Sequence, residues 1–294
     1  KGSVFGAFFF FFFLGLRGRA MDLIKVDYKK CVKCGLCASN CVMGVIDMGE
    51  GGWPQQARDL CIACGHCVAL CPTAALDNVK SPLGGQIPVK NTRPLSPEEA
   101  EFFLRSRRTV RIFDDRPVPR SLIRRLLNIS RYAQTAVNSQ AVSYCVIDDR
   151  NLLGRISEAM IEWQEAMLPQ AKEQTDVIIS LISRYRSRHQ DVMLWRTPCL
   201  VLALADPGRI PRSSRDNAVF FLNYVSLYAQ SLGLGTCWAG IFEACWKSGY
   251  APLQELIKLP EELELAGAMM VGYAKYKYRR LVEREPLNIL WHGE

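Results

Sequence analysis

Eight of the 12 cysteines form two sets that repeat one internal spacing. The first set begins at Cys31 within CVKCGLCASNC, and the second begins at Cys61 within CIACGHCVALCP. Thiolates in this C-x2-C-x2-C-x3-C pattern are typical ligands of 4Fe–4S clusters, and the fourth cysteine of each run ligates the other cluster. The sequence therefore predicts two clusters with crossed ligand sets. The first cluster is assigned to Cys31, Cys34, Cys37 and Cys71, and the second to Cys61, Cys64, Cys67 and Cys41.

Two other kinds of cysteine chemistry fit this spacing less well. Paired zinc ribbons use two C-x2-C pairs rather than triplets with a trailing cysteine. A disulfide framework is typical of small secreted domains, whereas this chain has 294 residues. The stretch resembles a two-cluster bacterial ferredoxin domain. Gly35 and Gly65 follow the second cysteine of each set, where we expect the backbone to pass close to the cluster.

The length and composition indicate a globular chain with more than one domain. The cysteine segment takes about 60 residues and leaves about 200, which is enough for a second hydrophobic core. The net charge is +8, and much of it comes from arginines in residues 105–125, so we expect a local anion site and no nucleic-acid surface. The clusters and four further cysteines favour a reducing, cytoplasmic compartment. We expect most of these four, Cys145, Cys199, Cys237 and Cys245, to be buried thiols.

Residues 1–20 do not have the pattern of a folded domain. They include six consecutive phenylalanines, and the apolar run from Val4 to Leu16 is shorter than a membrane-spanning helix needs. We expect an extension outside the fold, and a membrane-associating tail or a cleaved signal segment stay open as alternatives. The expected organisation is an extension over 1–20, a two-cluster domain over 21–80, a linker over 81–95 and a second domain over 96–294.

Local signals predict the elements that must position a second site. Ser96-Pro97-Glu98-Glu99 combines an N-cap, a proline at the first helical position and a capping-box glutamate, so a helix is expected to Ser106. A helix without charged residues, from Asn217 to Leu232, is expected at a subunit interface. The further expected elements are a helix with Leu122, Leu126 and Ile129 on one face, a strand over 142–148, helical pieces over 151–190 broken at Pro169, a strand over 200–205, the uncharged helix from Asn217 to Leu232, a turn over 233–240 and a strand over 266–273.

Three separated segments contain residues suited to a planar ligand with a phosphate. Arg107–Arg111 has three arginines and a threonine after a helix, and guanidinium groups fit phosphate bidentately, although such a run alone is usually a solvated face. Gln134–Gln140 is an uncharged polar loop whose amides suit the edge of a heterocycle. Gly233–Gly240 is rich in small residues, which let the backbone approach a flat ligand.

The order and spacing of these segments resemble the nitroreductase family of FMN enzymes over about residues 100–292. The motifs are R-R-T-x-R-x-F, N-S-Q, G-L-G-T-C-W and V-G-Y before a basic tail, and the chain is similar to the subgroup with an N-terminal two-cluster ferredoxin domain. The resemblance implies an α+β fold, with a central sheet flanked by helices, and a homodimer with FMN at its interface. The FMN-binding residues are then expected to be Arg107, Arg108, Thr109 and Arg111 at the phosphate, ribityl chain and ring edge, Thr135, Asn138 and Gln140 in the polar loop, Ala239 and Gly240 beside flavin N5, and Arg280 and Arg284 at the phosphate from the tail.

Two places depart from the family pattern. Gln134-Thr135 stands where many members have Pro-Ser, and Ala141-Val142 stands where they have an aromatic residue after N-S-Q-P. Both changes alter the expected pocket wall. The substrate class of the best-known members therefore does not carry over to this chain. Thr135 and Asn138 keep the expected role of contacting FMN across the dimer interface.

The resemblance implies electron flow from an external donor through two clusters to FMN and on to a small acceptor of nitro, quinone or enone type. The expected donor is reduced ferredoxin or NAD(P)H, and the lack of a glycine-rich dinucleotide fingerprint favours ferredoxin. A reductive dehalogenase or flavin-modifying enzyme of the same fold stays open, as does a non-enzymatic electron-transfer module. No catalytic residue is assigned, and Tyr185, Cys237 and solvent stay open as proton donors. No nucleic-acid or membrane partner is expected.

Overall fold

The computed structural model describes residues 22–89, 95–170, 175–209 and 213–293. The extension expected over residues 1–20 and part of the expected linker lie outside these described residues. The chain divides into two compact units, residues 1–92 and 93–294. The finer domain boundaries stay predictions.

The first unit is built from two interlocked halves. Its elements are β1 (Ile24–Val26), α1 (Leu36–Ser39), β2 (Ile46–Met48), β3 (Pro54–Gln56), α2 (His66–Ala69) and β4 (Leu76–Asn78). Strand β1 pairs antiparallel with β4, and β2 pairs antiparallel with β3. Each pair joins one strand from each cysteine-containing half. Residues from the two cysteine sets are thereby brought into one small core.

Both halves use the same backbone turns to carry their cysteines. The backbone angle φ is +56° at both Lys33 and Ala63, and it is +75° at Gly35 and +74° at Gly65. Glycine adopts this left-handed region without steric cost, whereas most residues do not. Gly35 and Gly65 each stand directly before the short helices α1 and α2. The repeated glycine is therefore explained by backbone conformation at the helix start.

The second unit is an α+β fold around one four-stranded sheet. Its helices are α3 (Pro97–Ser106), α4 (Arg120–Asn128), α5 (Arg150–Met167), α6 (Thr175–Arg186), α7 (Ser214–Ser231), α8 (Gly240–Lys247) and α9 (Ala251–Leu256). Its strands are β5 (Val142–Ile147), β6 (Cys199–Ala205), β7 (Gly235–Trp238) and β8 (Glu264–Gly272). The strands lie in the order β5-β6-β8-β7, and every neighbouring pair is antiparallel. The expected fold class, a central sheet flanked by helices, is confirmed.

Strand β6 is buried on both faces of this sheet. Its leucines Leu200, Leu202 and Leu204 pack in one apolar cluster, and Cys199, Val201, Ala203 and Ala205 pack in another. Successive side chains of a strand point to opposite faces, so an all-apolar run fits a strand that is covered on both sides. Helices α5, α8 and α9 contribute to the first cluster, and α4 and α7 contribute to the second. The core therefore lies in two layers, one on each side of β6.

The local helix signals are confirmed at α3 and around Pro169. Ser96 Oγ accepts the backbone N–H of Glu99, and the Glu99 carboxylate accepts the backbone N–H of Ser96, which completes the capping box. Helix α5 ends at Met167. A short 3-10 turn over Leu168–Gln170 then contains Pro169, as expected for a proline that interrupts a helix.

The turn expected over residues 233–240 is wrong in its second part. Gly233 has φ +69° and makes the turn after α7. Residues from Gly235 then form strand β7, which pairs with β8 from Gly235 opposite Gly272 to Trp238 opposite Met269. Thr236 and Trp238 are residue types that favour strands, and the free edge of β8 supplies the partner. The glycines had suggested a turn because their contacts with distant strands are not visible locally.

Helix α7 contains the uncharged stretch that begins at Asn217. Its buried face includes Phe221, Leu222 and Val225 and packs on the sheet. Within the described residues, no helix combines the length and the apolar character needed to cross a membrane.

Candidate functional site

The eight cysteines of the two sets gather into two groups of four. The first thiol site comprises Cys31, Cys34, Cys37 and Cys71, which line one small cavity. The second thiol site comprises Cys41, Cys61, Cys64 and Cys67, which line another. The fourth cysteine of each set thus lies with the first three cysteines of the other set. This is the grouping that crossed ligation requires, and the ligand assignment itself stays a prediction.

The thiols suit a group that is larger than one metal ion. Among the residues that the structure describes, no three His, Cys, Asp or Glu side chains come close enough to hold a single ion. All 12 cysteines lie in that part of the chain, and none is in a disulfide. A 4Fe–4S cluster takes four thiolates around its corners. The four thiols that line each site are the donor set that such a cluster takes.

Backbone N–H groups point at sulfurs of both thiol sites. The Val45 N–H donates to Cys41 Sγ at an N–S distance of 3.2 Å, and the Ala75 N–H donates to Cys71 Sγ at 3.1 Å. Burial acts to raise the pKa of Cys71, but hydrogen bonds from Ala75 and neighbouring N–H groups outweigh it and the pKa is lowered. Burial raises the pKa of the Cys67 thiol. The Val45 and Ala75 N–H groups thus stabilise the thiolate form of the cysteines, which is the form that binds iron.

The arginine cavity, about 400 Å³ in volume, lies where the end of α3, strand β7 and the chain after β8 come together. Arg107 and Arg108 follow α3 directly and line it, together with Gly235 of β7. The Val110 N–H donates to Thr236 O at 2.9 Å, which holds this segment beside β7. A Cβ on Gly235 would lie 2.4 Å from Val110 Cγ2, so only glycine permits this approach. The cavity volume is in the usual range for small-ligand sites.

One donor of Arg108 is left without a partner in this cavity. Its Nε is buried and makes no hydrogen bond to any described residue. Its guanidinium lies over the ring of Tyr278, 5.2 Å from the centroid, and the Tyr278 hydroxyl donates to Thr109 O at 3.2 Å. A buried donor of a charged group is costly when unpaired, and an anion would satisfy it. With Arg107 and Lys277 also in the lining, the residues present fit a phosphate group.

The other arginines expected at the phosphate lie elsewhere in the described structure. Arg280 and Arg284 are exposed further along the tail and are absent from the lining of the arginine cavity. Arg111 is exposed, and its charge partly offsets the burial that raises the pKa of Cys237. Their roles in FMN binding stay predictions. Sequence reasoning missed Lys277 and Tyr278, although both belong to the basic tail that it singled out.

The polar loop over residues 134–140 is held by a buried asparagine of α7. The Ala136 N–H donates to Asn217 Oδ1 at 3.0 Å, and Asn217 Nδ2 donates to Ser139 Oγ at 3.4 Å. Asn217 is 2% exposed. The loop residues expected to contact FMN, Thr135, Asn138 and Gln140, are joined by the Gln140 N–H donating to Thr135 Oγ1 and by the Gln140 amide donating to Asn138 Oδ1. The structure thus brings these three residues together.

Left-handed backbone shapes the same loop. The angle φ is +46° at Val137, +52° at Asn138 and +49° at Gln140. A β-branched residue such as Val137 rarely adopts this region, and such strain persists only where surrounding contacts impose it. The anchor at Asn217 is one of those contacts. The loop is therefore preorganised rather than an ordinary connection.

The two backbone positions expected beside flavin N5 differ in what they can donate. The Ala239 N–H donates to Ala268 O at 2.9 Å, so it is already used within the sheet. Gly240 begins α8, and the first bond back along the chain runs from the Glu243 N–H to Ala239 O at 3.1 Å. The N–H of Gly240 therefore precedes the first helical bond, at the positive end of the helix dipole. Of the two, Gly240 is the better donor to a ligand.

Glu243 supports this segment from inside the protein. Its carboxylate is 7% exposed, and Oε1 accepts the Ala268 N–H at 2.9 Å. Its other oxygen lies 3.7 Å from Arg215 and 3.8 Å from Lys247. The carboxylate thus ties α8 to β8 immediately after the predicted flavin contact. Nothing in the local sequence distinguishes Glu243 from a surface glutamate.

Neither side chain weighed as a proton donor is activated. The Tyr185 hydroxyl donates to Glu158 at 3.1 Å, and burial together with the Glu158 charge raises the pKa of Tyr185 well above its usual value. Tyr185 lines a cavity with His189 rather than the arginine cavity. Burial also raises the pKa of the Cys237 thiol. No catalytic residue is assigned.

Two family models match this sequence. The model described as the nitroreductase family matches residues 104–273, and the model described as a 4Fe-4S dicluster domain matches residues 30–75. A protein of Archaeoglobus fulgidus, provisionally named an NADH dehydrogenase/NAD(P)H nitroreductase, is 25% identical over 178 residues, which are 60% of this chain and 87% of the relative.

Solved structures resemble the second unit in fold. A nitroreductase with bound FMN from Desulfitobacterium hafniense DCB-2 has a TM-score of 0.52 at 16% identity, covering 67% of this chain and 100% of its own. A BluB-like flavoprotein from Clostridium difficile 630 has a TM-score of 0.51 at 18% identity, covering 64% and 95%. An iodotyrosine deiodinase bound to FMN and 3-iodo-L-tyrosine has a TM-score of 0.50 at 18% identity, covering 66% and 98%. At these identities the likeness shows the fold alone.

Proposed function

Because the chain belongs to the nitroreductase family and carries a 4Fe–4S dicluster domain, we propose that it passes electrons from a low-potential donor through two clusters to FMN and then to a small organic acceptor. As a member of this family it is an FMN-dependent oxidoreductase. Iron–sulfur clusters carry electrons singly, and FMN can take two of them and deliver a hydride from N5. The acceptors that we propose are nitro, quinone or enone compounds.

The arginine cavity is the observation that carries the FMN part of this proposal. Arg108 Nε is buried without a partner among the described residues, and Arg107 and Lys277 add two positive charges beside it. We assign these side chains to hold the FMN phosphate. The Gly240 N–H would donate to the ring of this FMN. The loop anchored by Asn217 would present Asn138 to the ring of the FMN that a second copy of the chain holds. The role proposed for these protein residues is thus to bind and orient the cofactor.

The same proposal includes a homodimer. The tail after β8 carries large apolar side chains in the open, with Leu287, Leu290 and Trp291 each at least 80% exposed. Contiguous exposed apolar side chains of this size are typical of interaction surfaces. We propose that a second copy of the chain covers this tail and contributes loop residues such as Asn138 to the FMN site. Sedimentation of the FMN-loaded protein tests this, with a flavin-loaded monomer as the contrary result.

The direct test is a donor and acceptor screen on the full chain, prepared without oxygen. We expect reduced ferredoxin to drive reduction of nitro, quinone or enone compounds faster than NADH or NADPH does. The matched control replaces Cys61 and Cys64 by alanine, which removes ligands of the second thiol site and leaves the FMN unit intact. In this control, ferredoxin-driven turnover should fall strongly while any direct turnover with NADH stays unchanged.

Two outcomes would reject the proposal. Equal ferredoxin-driven turnover in the control would mean that electrons bypass the clusters. Reduction of bound FMN without turnover of any acceptor would point to an electron-transfer role. A screen that includes halogenated phenols separates reduction from dehalogenation, because only the latter releases halide.

A further inference from the structure

Asn78 is a buried amide that faces two sulfurs of the second thiol site. Its side chain is 3% exposed, and its Nδ2 lies 3.7 Å from Cys61 Sγ and 3.8 Å from Cys67 Sγ. Its Oδ1 accepts the Lys80 N–H at 2.9 Å. This bond fixes which end of the amide is which, so the N–H donors of Asn78 must face the sulfurs. The eight-cysteine pattern gives no hint of this residue.

The equivalent position in the first half is a methionine. Asn78 stands seven residues after Cys71, and Met48 stands seven residues after Cys41. The two residues end the equivalent strands β4 and β2. Met48 lines the first thiol site, as Asn78 lines the second. A thioether has no proton to donate. The two sites therefore share a backbone frame and differ in a pair of side-chain hydrogen bonds.

The other donors differ less between the two sites. The Val45 and Ala75 N–H groups occupy equivalent positions and each donates to one sulfur, at 3.2 Å and 3.1 Å. At the second site the Ala63 N–H also donates to Cys61 Sγ, at 3.4 Å. At the first site, Thr73 Oγ1 lies 3.9 Å from Cys71 Sγ, which is a single and longer contact. Each site also has one exposed lysine nearby, Lys33 at the first and Lys80 at the second. Exposed charges are screened by solvent, so they distinguish the sites weakly.

We propose that the hydrogen bonds of Asn78 raise the reduction potential of the cluster in the second thiol site above that of the cluster in the first. Hydrogen bonds to cluster sulfurs favour the reduced state, because reduction adds negative charge that the donors stabilise. An electron that enters at the first cluster therefore collects on the second. This inference rests on the proposed binding of one cluster at each thiol site.

The test is a spectroscopic redox titration of the full chain, prepared anaerobically and held at one pH. We expect two one-electron couples from the clusters of the native protein, in addition to the redox transition of its bound FMN. Asn78→Leu removes both hydrogen bonds to the sulfurs. It should change the reduction equilibrium constant of the upper couple about tenfold, which lowers its midpoint potential by about 59 mV for one electron. Asn78→Asp keeps the acceptor for Lys80 but adds a negative charge, so it should lower that couple further.

The matched variant is Met48→Asn, which adds an amide at the first site. We expect it to raise the lower couple and leave the upper one in place. If Asn78→Leu loses iron, Met48→Asn with full iron content decides the question. Unchanged couples in an iron-replete Asn78→Leu protein would overturn the proposal. So would an iron-replete Met48→Asn protein with an unchanged lower couple, or variants that both shift the same couple.

These potentials are read from the clusters and not from turnover. If the couples shift as expected but no acceptor is reduced, the proposed function fails and the role of Asn78 stands. If the protein reduces acceptors with electrons from ferredoxin, but neither midpoint potential changes when Asn78 is replaced, the role of Asn78 fails and the proposed function stands. The two proposals can thus be rejected separately.

Discussion

The two units of this chain are each stabilised in a different way. The buried core of the first unit comprises Leu23, Val45, Ile46 and Leu76, and five cysteines of the thiol sites pack against it. The second unit has two larger apolar clusters, one on each face of its sheet. A unit with so little buried apolar surface usually needs a metal or other cross-link for stability. The comparison indicates that the first unit depends on its cofactor for stability, whereas the second buries enough apolar surface to fold without one.

Removal of iron should give the largest difference in stability between the two units. Chelation under reducing conditions should unfold residues 22–80, because the binding free energy of the clusters is part of the folding free energy there. Hydrogen exchange measured by mass spectrometry should then show loss of protection in β1 and β4, while β6 and β8 keep theirs. The comparison breaks if β1 and β4 stay protected in iron-free protein.

Pairs of cysteine substitutions test the crossed ligand sets. Cys41→Ala with Cys61→Ala should leave about four irons per chain, because both changes fall on the second thiol site and two clusters hold about eight. Cys41→Ala with Cys31→Ala should leave almost none, because the changes fall on different sites. Iron is measured in anaerobically purified protein, with Cys145→Ala as a control outside both sites. The opposite pattern of iron retention would establish uncrossed ligation.

Loss of Arg108 should affect the second unit without touching the first. Arg108→Ala removes a partly buried charge facing the proposed phosphate, which typically costs about 2–5 kcal/mol. At about 1.4 kcal/mol per decade, this predicts about thirty-fold or more weaker FMN binding. Flavin and iron contents are measured together, and the exposed Arg155 supplies an Arg155→Ala control. Stoichiometric FMN in Arg108→Ala protein would exclude Arg108 from the site.

Glu243 tests whether buried polar contacts also matter in the burial-dominated unit. Glu243→Ala leaves the Ala268 N–H without its acceptor, which costs about 1–3 kcal/mol for a buried donor. For a unit of this size each kcal/mol lowers Tm by about 2–4 °C. Glu243→Gln keeps an acceptor oxygen and should lower Tm less. Calorimetry of the transition of the second unit distinguishes the two, and equal losses would assign the effect to the charge instead.

The smallest expected effect is an acid dependence at the edge of the sheet. The hydrogen bond from Arg120 lowers the pKa of Asp148 below its usual value. A carboxyl whose folded pKa is depressed adds stability above its unfolded pKa, and that contribution is lost as pH falls through the folded value. The Tm difference between native protein and Arg120→Ala should therefore shrink from neutral pH to about pH 3, and a constant difference would exclude the pair. Because the Arg120 side chain is 84% exposed, solvent screening keeps this difference small.

Local sequence was enough wherever the chemistry is set by residues that are close along the chain. The cysteine spacing predicted two clusters, since three thiolates at a three-residue period can hold one side of a cluster. The capping box at Ser96 and Glu99 predicted the start of α3, and the apolar run from Leu200 predicted β6. For α3 and β6 the signal lies within or directly beside the element that it specifies.

Tertiary structure decided which distant residues meet. Asn217 holds a loop 81 residues away, Glu243 bonds to a strand 25 residues away, and Tyr278 meets the segment of Arg108 across 169 residues. Strand β7 looked like a turn because its partner β8 lies beyond two helices. The sequence by itself determined the family, the presence of a two-cluster domain and the start of α3. Two features depend on packing: the Arg108 donor that has no partner among the described residues, and the asymmetry between Asn78 and Met48. A hydrogen bond exists only where folding has brought donor and acceptor together.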